Sequence, residues 1–260
     1  MFEFLSTCLN ILIKYWPSIL LGIRTTLLIA LLGTFLGLGL GLVVGGLKAI
    51  QLDKNAPKSI RIIKKVYDAL STVYIEVFRG TPMMVQAVFL YYLLRPVFNW
   101  TNNIAAVFVI SVNTGAYMSE IVRSGIQAVD KGQTEASRSL GMSSLQTMML
   151  VVLPQAIKNA FPAIGNEFIV NIKDSSVLMI LSVTELMFQM KSIAGSNFKF
   201  IETYFVTACI YLCLTLVTSY LLRIVEKKLN NTAHSYPASV TVPGSVNKKE
   251  TKEEEHDGRY

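Results

Sequence analysis

From Ser18 to Leu47 the chain carries a single charge, Arg24, in an otherwise apolar, glycine-studded run. A helix needs roughly 20 such residues to cross about 30 Å of hydrocarbon, so this block alone points to a membrane. Further apolar blocks run from about Ile60 to Leu94, Ile104 to Val122, Gly165 to Met190 and Tyr204 to Leu222. They predict an all-α integral membrane protein with about five transmembrane helices. Across its 260 residues the chain is 52% hydrophobic and 16% charged, whereas soluble domains average about 25% charged. The polar last thirty or so residues dilute the contrast.

Punctuation within the blocks shapes the expected path. Gly33, Gly37, Gly41 and Gly45 recur every four residues. That spacing cuts a groove down one helix face, which in lipid lets another helix approach closely. Pro82, in Gly80-Thr81-Pro82, breaks the hydrogen-bond ladder and predicts a hinge or re-entrant kink. Arg95-Pro96 through Asn103 reads as a short turn. Pro154 and Pro162 suggest a broken entry to the fourth span. Val129–Leu150, with Lys131, Glu135 and Arg138, is too polar to span and reads as a short surface helix. The expected organisation is an extracytoplasmic segment 1–17, a membrane domain 18–228 and a disordered cytoplasmic tail 229–260.

Positive charge sets the expected orientation. If the Lys48–Lys65 loop is cytoplasmic, seventeen Lys and Arg fall in inside segments and four in outside segments (Lys14, Arg95, Lys191 and Lys199). The N-terminus is then outside and the C-terminus inside. This bias accounts for the net charge of +7, and no nucleic-acid partner is needed. The start Met1-Phe2-Glu3 lacks the basic region of a cleavable signal peptide. Cys8, Cys209 and Cys213 form no C-x-x-C pair and read as small helix residues. His234 and His256 both lie in the tail, so no catalytic or metal constellation sits in the spans. No G-x-x-x-x-G-K-[ST] motif occurs, so the chain has no phosphate cradle for ATP.

Gly132-Gln133-Thr134-Glu135-Ala136-Ser137-Arg138-Ser139-Leu140-Gly141, followed by Val151-Val152-Leu153-Pro154, resembles the E-A-A-x3-G-x9-I-x-L-P signature of ATP-binding-cassette importer permeases. Ser137 replaces Ala and Val151 replaces Ile, both with size and character kept. Physically, Glu135, Ala136 and Ser137 are expected to start a short helix with a small face, and Gly141 to end it as a left-handed cap. Phe78-Arg79-Gly80-Thr81-Pro82, Ala116-Tyr117 with Glu120 and Arg123, Gly165-Asn166-Glu167-Phe168-Ile169 and Lys173-Asp174-Ser175-Ser176 are similar to stretches of polar amino-acid permeases. Together these matches cover roughly Gly22 to Leu222.

The resemblance implies an inner-membrane subunit that is not itself an enzyme and holds no cofactor. ATP and magnesium would be bound by a separate ATPase dimer. Further implied partners are a second permease chain, identical or not, an extracytoplasmic substrate-binding protein and a polar amino acid as substrate. A coupling helix within about 129–154 would dock on the ATPase through Glu135, Ala136, Ser137, Gly141, Leu153 and Pro154.

Ionisable groups at membrane depth are costly and face protein or a wet path. Here they are Glu76, Arg79, Glu120, Arg123, Glu167, Lys173, Asp174 and Glu185. Glu120 with Arg123, and Glu76 with Arg79, have the spacing of local ion pairs. Glu167, beside Asn166 and just after Pro162, is either a substrate contact at a helix break or interhelical glue. Asn113 and Tyr117, four apart, could line the same path. An ion-driven secondary transporter would also explain the spans, but leaves the 129–154 segment without a role.

Overall fold

The computed structural model describes residues 2–50, 52 and 57–233. Ten α-helices occur among them and no strand. They are α1 (Phe2–Lys14), α2 (Trp16–Ala49), α3 (Lys58–Gly80), α4 (Met83–Phe98), α5 (Asn102–Gln127), α6 (Lys131–Ser139), α7 (Ser144–Thr147), α8 (Leu153–Asp174), α9 (Leu186–Asn197) and α10 (Phe200–Ala233). A π-helical turn, Met148–Val152, leads into α8, and a 3-10 turn, Ser175–Leu181, leads out of it. By length and hydropathy α2, α5, the Ser144–Leu181 stretch and α10 can each cross a membrane. The bent pair α3–α4 brings the number to five.

The glycine groove does what its spacing predicts. A Cβ on Gly37 would lie 2.8 Å from the Thr114 side chain, and one on Gly41 would run into Met118. Gly33 faces Ile110 in the same way. Both partners advance by four together, so α2 and α5 run parallel, backbone close to backbone. Polar bonds pin the seam. Asn171 of α8 donates to Thr34 Oγ1 at 2.8 Å and accepts from Thr114 Oγ1 at 3.1 Å, all three being buried.

Several expectations on breaks and boundaries change. The break expected at Pro82 is kept, as a bend of 117° between α3 and α4. α4 continues through Arg95 and Pro96, and the turn is only Asn99–Thr101, with Asn99 left-handed at φ 42°. Pro96 sits in the last turn, where few helical bonds remain to be lost. The fourth span has no broken entry: α8 runs unbroken through Pro162, with Pro154 in its first turn. The preceding π turn widens the ladder where Pro154 lacks its N–H. The break falls instead after Asp174, where the helix tightens to 3-10 and stops at Ser182, left-handed at φ 58°. Residues 186–190, expected inside this span, belong to the separate α9.

Glu185 anchors that second break. It is fully buried, and its carboxylate accepts from Phe188 N at 2.6 Å and Met187 N at 2.8 Å. It thereby caps α9. Tyr211 of α10 donates to it at 3.0 Å. The first segment is helical and packs on α10, with Phe4 edge-on to Phe205. At the other end α10 continues to Ala233, past the expected boundary at 228. The rest of the expected tail, 234–260, lies outside the described residues.

Candidate functional site

Between α5 and α8 the chain leaves the bundle as a helical hairpin. Asp130 starts α6, its Oδ1 accepting from Gly132 N at 2.6 Å. The helix therefore begins at Lys131, and Glu135, Ala136 and Ser137 lie in its second half rather than at its start. Gly141 ends it at φ +83°. Gly141 N donates to Arg138 O at 3.0 Å and Met142 N to Ser137 O at 3.2 Å, the paired bonds of a Schellman stop. Ser143 and Gln146 then form a capping box for α7.

The hairpin splits its residues into two sets. Ser137 is buried, and its hydroxyl lies 3.2 Å from Thr147 Oγ1. It ties α6 to α7 instead of joining an outer face. Glu135, Ala136 and Gly141 are exposed, and Leu140 is 84% exposed. A leucine so open at a non-spanning, otherwise polar turn is an apolar knob left uncovered by the described residues. Leu153 is half-buried and Pro154 exposed at the start of α8. Gln155 donates to Val151 O at 2.8 Å across the π turn.

A second cluster surrounds the α3–α4 break. A helical Pro82 N–H would have bonded the Phe78 carbonyl. Gln86 Nε2 and Asn113 Nδ2 reach that carbonyl instead, at 2.9 and 3.2 Å. Asn113 also donates to Gln86 Oε1 at 2.8 Å, so its buried amide is committed to the break. The expected Glu76–Arg79 pair is not made. Arg79 reaches across to Glu120 Oε2 at 3.9 Å and lies over the Tyr117 ring, 5.5 Å from its centre. Glu120 makes the expected pair with Arg123, at 2.7 Å.

Arg79, Tyr117 and Glu120 line a cleft of about 410 Å³ that Asn159 and Ala163 of α8 close on the far side. Glu167 is half-buried one turn further along α8, within the field of Arg79 and of Asp174. The cleft thus brings Arg79 and Tyr117 together, with Glu167 on α8 outside its lining and Asn113 behind the wall. Lys158, Asn159, Asn166 and Lys173 are exposed along α8. A polar stripe at membrane depth cannot rest against lipid. Gln86 anchors the α3–α4 break and Leu140 stands open on the hairpin, and sequence reasoning singled out neither; Glu185 was noted there only as a charge at depth, without its capping role. The Ser143-x-x-Gln146 box and Asp130 were readable from spacing alone.

Fold and site together define a polytopic α-helical membrane protein with a capped helical hairpin standing out at one end. Residues 59–231 match the binding-protein-dependent transport system inner membrane component family. The glutamine transport system permease protein GlnP of Escherichia coli (strain K12) is 36% identical over 220 residues, covering 82% of this chain and 95% of that protein. The probable amino-acid permease protein YxeN of Bacillus subtilis (strain 168) is 34% identical over 223 residues, covering 84% and 94%. A crystal structure of an amino acid ABC transporter with histidines superposes with a TM-score of 0.72 at 37% identity, covering 86% of this chain and 98% of that one. The MetNI methionine ABC transporter in an inward facing conformation shares the fold, with a TM-score of 0.72 at 17% identity, covering 83% and 98%. The chain belongs to the family of binding-protein-dependent transport system inner membrane components, and is a membrane-spanning permease component of that kind.

Proposed function

We propose that the chain is the permease subunit of an ATP-driven importer that moves polar amino acids into the cell by alternating access. The observation that carries this reading is the α6–α7 hairpin. Its Schellman stop at Gly141 and its Ser137–Thr147 tie make it a rigid unit, with Glu135, Ala136, Leu140 and Gly141 left outward. A rigid lever with an apolar knob suits docking on a separate ATPase dimer, which would supply ATP and magnesium binding. This chain then needs no cofactor of its own. Leu153 and Pro154 join the lever to α8 through the π turn, so a push on the hairpin is delivered to the span carrying Glu167.

The charge bias supports placing the hairpin and the C-terminus in the cytoplasm, with the N-terminus outside. The polar stripe of α8 supports a second permease chain across a wet path. Arg79 in the cleft and Glu167 one turn beyond its α8 wall carry the two charges that a zwitterion presents in reverse: guanidinium for the carboxylate, carboxylate for the ammonium. Tyr117 would bound the cleft, and Asn113 would act through the break that positions Arg79. Delivery would come from an extracytoplasmic binding protein, as in the relatives' family.

The test is uptake by the complete transporter in liposomes, with candidate amino acids and the binding protein. Uptake that requires ATP hydrolysis inside, for one amino-acid class, is expected. Uptake that follows an ion gradient without ATP would overturn the reading.

A further inference from the structure

A cleft of about 1100 Å³ opens beside the hairpin, where α2 and α5 end and α3 begins. Lys48 and Lys64 stand on its bundle side, Lys131 and Arg138 on its hairpin side, and Arg123 between them. Among the described residues, Glu135 is the single acidic one of the lining. Two of the cations are already balanced outside the cleft, Lys64 by Asp68 at 2.6 Å and Arg123 by Glu120. Lys48 spends one bond on Thr72 Oγ1, at 2.9 Å. Lys131 makes no ion pair among the described residues. Between the cations the walls are apolar, with Ile50, Ile126, Val129 and Met148.

Three features of this cleft converge on one kind of ligand. It lies at the ends of membrane spans, hence at the depth of headgroups. Its charge calls for an anion, and a zwitterionic headgroup would bring an ammonium against the lysines. Its walls are amphipathic, which suits a phosphate with glycerol and the first acyl carbons below it. Basic pockets between span ends take anionic headgroups by this chemistry. Leu140, Ala136 and Gly141 do not line it, and Glu135 is the one residue of the lining that it shares with the docking face.

We propose that this cleft binds the headgroup of an anionic phospholipid, bridging Lys48 of the bundle to Lys131 of the hairpin. The bound lipid ties the hairpin to the span ends. Where the hairpin is the lever of the proposed transporter, the anionic fraction of the membrane sets how firmly it is held.

The experiment is lipid retention, which does not depend on transport. The complete transporter, permease with ATPase, is released from nanodiscs of mixed phosphatidylglycerol and phosphatidylcholine, and retained lipids are counted by native mass spectrometry. Wild type is expected to retain phosphatidylglycerol in excess. Lys48→Gln and Lys131→Gln should each lower that excess about fivefold, the weight of one charge beside an anionic surface. Lys14→Gln, in the last turn of α1 and beside the start of α2, far from the cleft, should leave it unchanged. Equal retention of the two lipids overturns the proposal. So does displacement of the excess by inorganic phosphate, which would mark a free-anion site. Retention by the permease alone that vanishes with the ATPase present would assign the cleft to an acidic surface of that partner, and also overturns it. A melting temperature matching wild type shows that each variant is folded.

Discussion

Asn113 Nδ2 donates to the Phe78 carbonyl oxygen at 3.2 Å, the acceptor that Pro82 leaves without its helical donor. Gln86 shares that duty at 2.9 Å and is itself bonded to Asn113. The sharp α3–α4 turn is therefore held by two side chains from outside α3. It brings Arg79 to Tyr117 and Glu120. Asn113→Leu removes both donations of the amide and leaves Gln86 Oε1 without its donor, while the Phe78 carbonyl keeps only Gln86, which costs about 1–3 kcal/mol. Gln86→Leu should cost a similar amount, and the double variant less than the two together, because they act on one carbonyl. Thermal unfolding of the purified complex checks the coupling; simple additivity would mean that the two amides act independently.

The α2–α5 seam gives a matched pair of glycine tests. Gly37→Ala places a methyl 2.8 Å from Thr114, against a rigid neighbour on a packed helix, while nothing lies within 4 Å of the corresponding position on Gly39. Overpacking of this kind costs roughly 1–3 kcal/mol. Gly37→Ala should lower the yield and melting temperature of folded protein, and Gly39→Ala should lower neither. Equal behaviour of the two would deny the close approach.

How far such features could be read in advance divides by their range. The glycine groove, the Pro82 break and the Gly141 stop were legible because each follows from local spacing or from one residue's backbone preference. The unbroken course of α8 through Pro162 was not. A proline in a membrane helix is tolerated when neighbours and local ladder changes absorb it, and those neighbours are remote in sequence. Ser137 was misplaced for a related reason: its small size suggested a contact face, but its hydroxyl finds Thr147 only once Gly141 has folded the hairpin back. Arg79 was expected on Glu76 by helical spacing. The 117° turn carries it to Glu120 on another helix. Glu185 stood out as a charge at depth, but nothing nearby in sequence announced Tyr211 as its donor.

Gly141 tests the lever itself. At φ +83° any other residue but asparagine is strained, by about 1–2 kcal/mol for alanine. The space around it is open, so the penalty is one of backbone alone. Gly141→Ala should reduce ATP-driven uptake with only a small change in melting temperature, and Gly141→Asn should restore most of it, since asparagine visits the left-handed region. If alanine and asparagine behave alike, backbone geometry at the stop is not what uptake depends on.

Leu140 separates docking from folding. It is 84% exposed and touches no core cluster, so Leu140→Asp should leave the stability of the permease within about 0.5 kcal/mol. An apolar anchor that fills a pocket of a partner costs about 2 kcal/mol or more when lost, and a buried aspartate adds a desolvation penalty. Co-purification of the ATPase should therefore fall by well over tenfold while the permease itself stays folded. Leu140→Met, which keeps an apolar side chain of similar volume, should retain the ATPase. If the aspartate variant held its ATPase as firmly as wild type, the knob would lie outside the contact, and docking would have to rest on Glu135, Ala136 and the turn at Gly141.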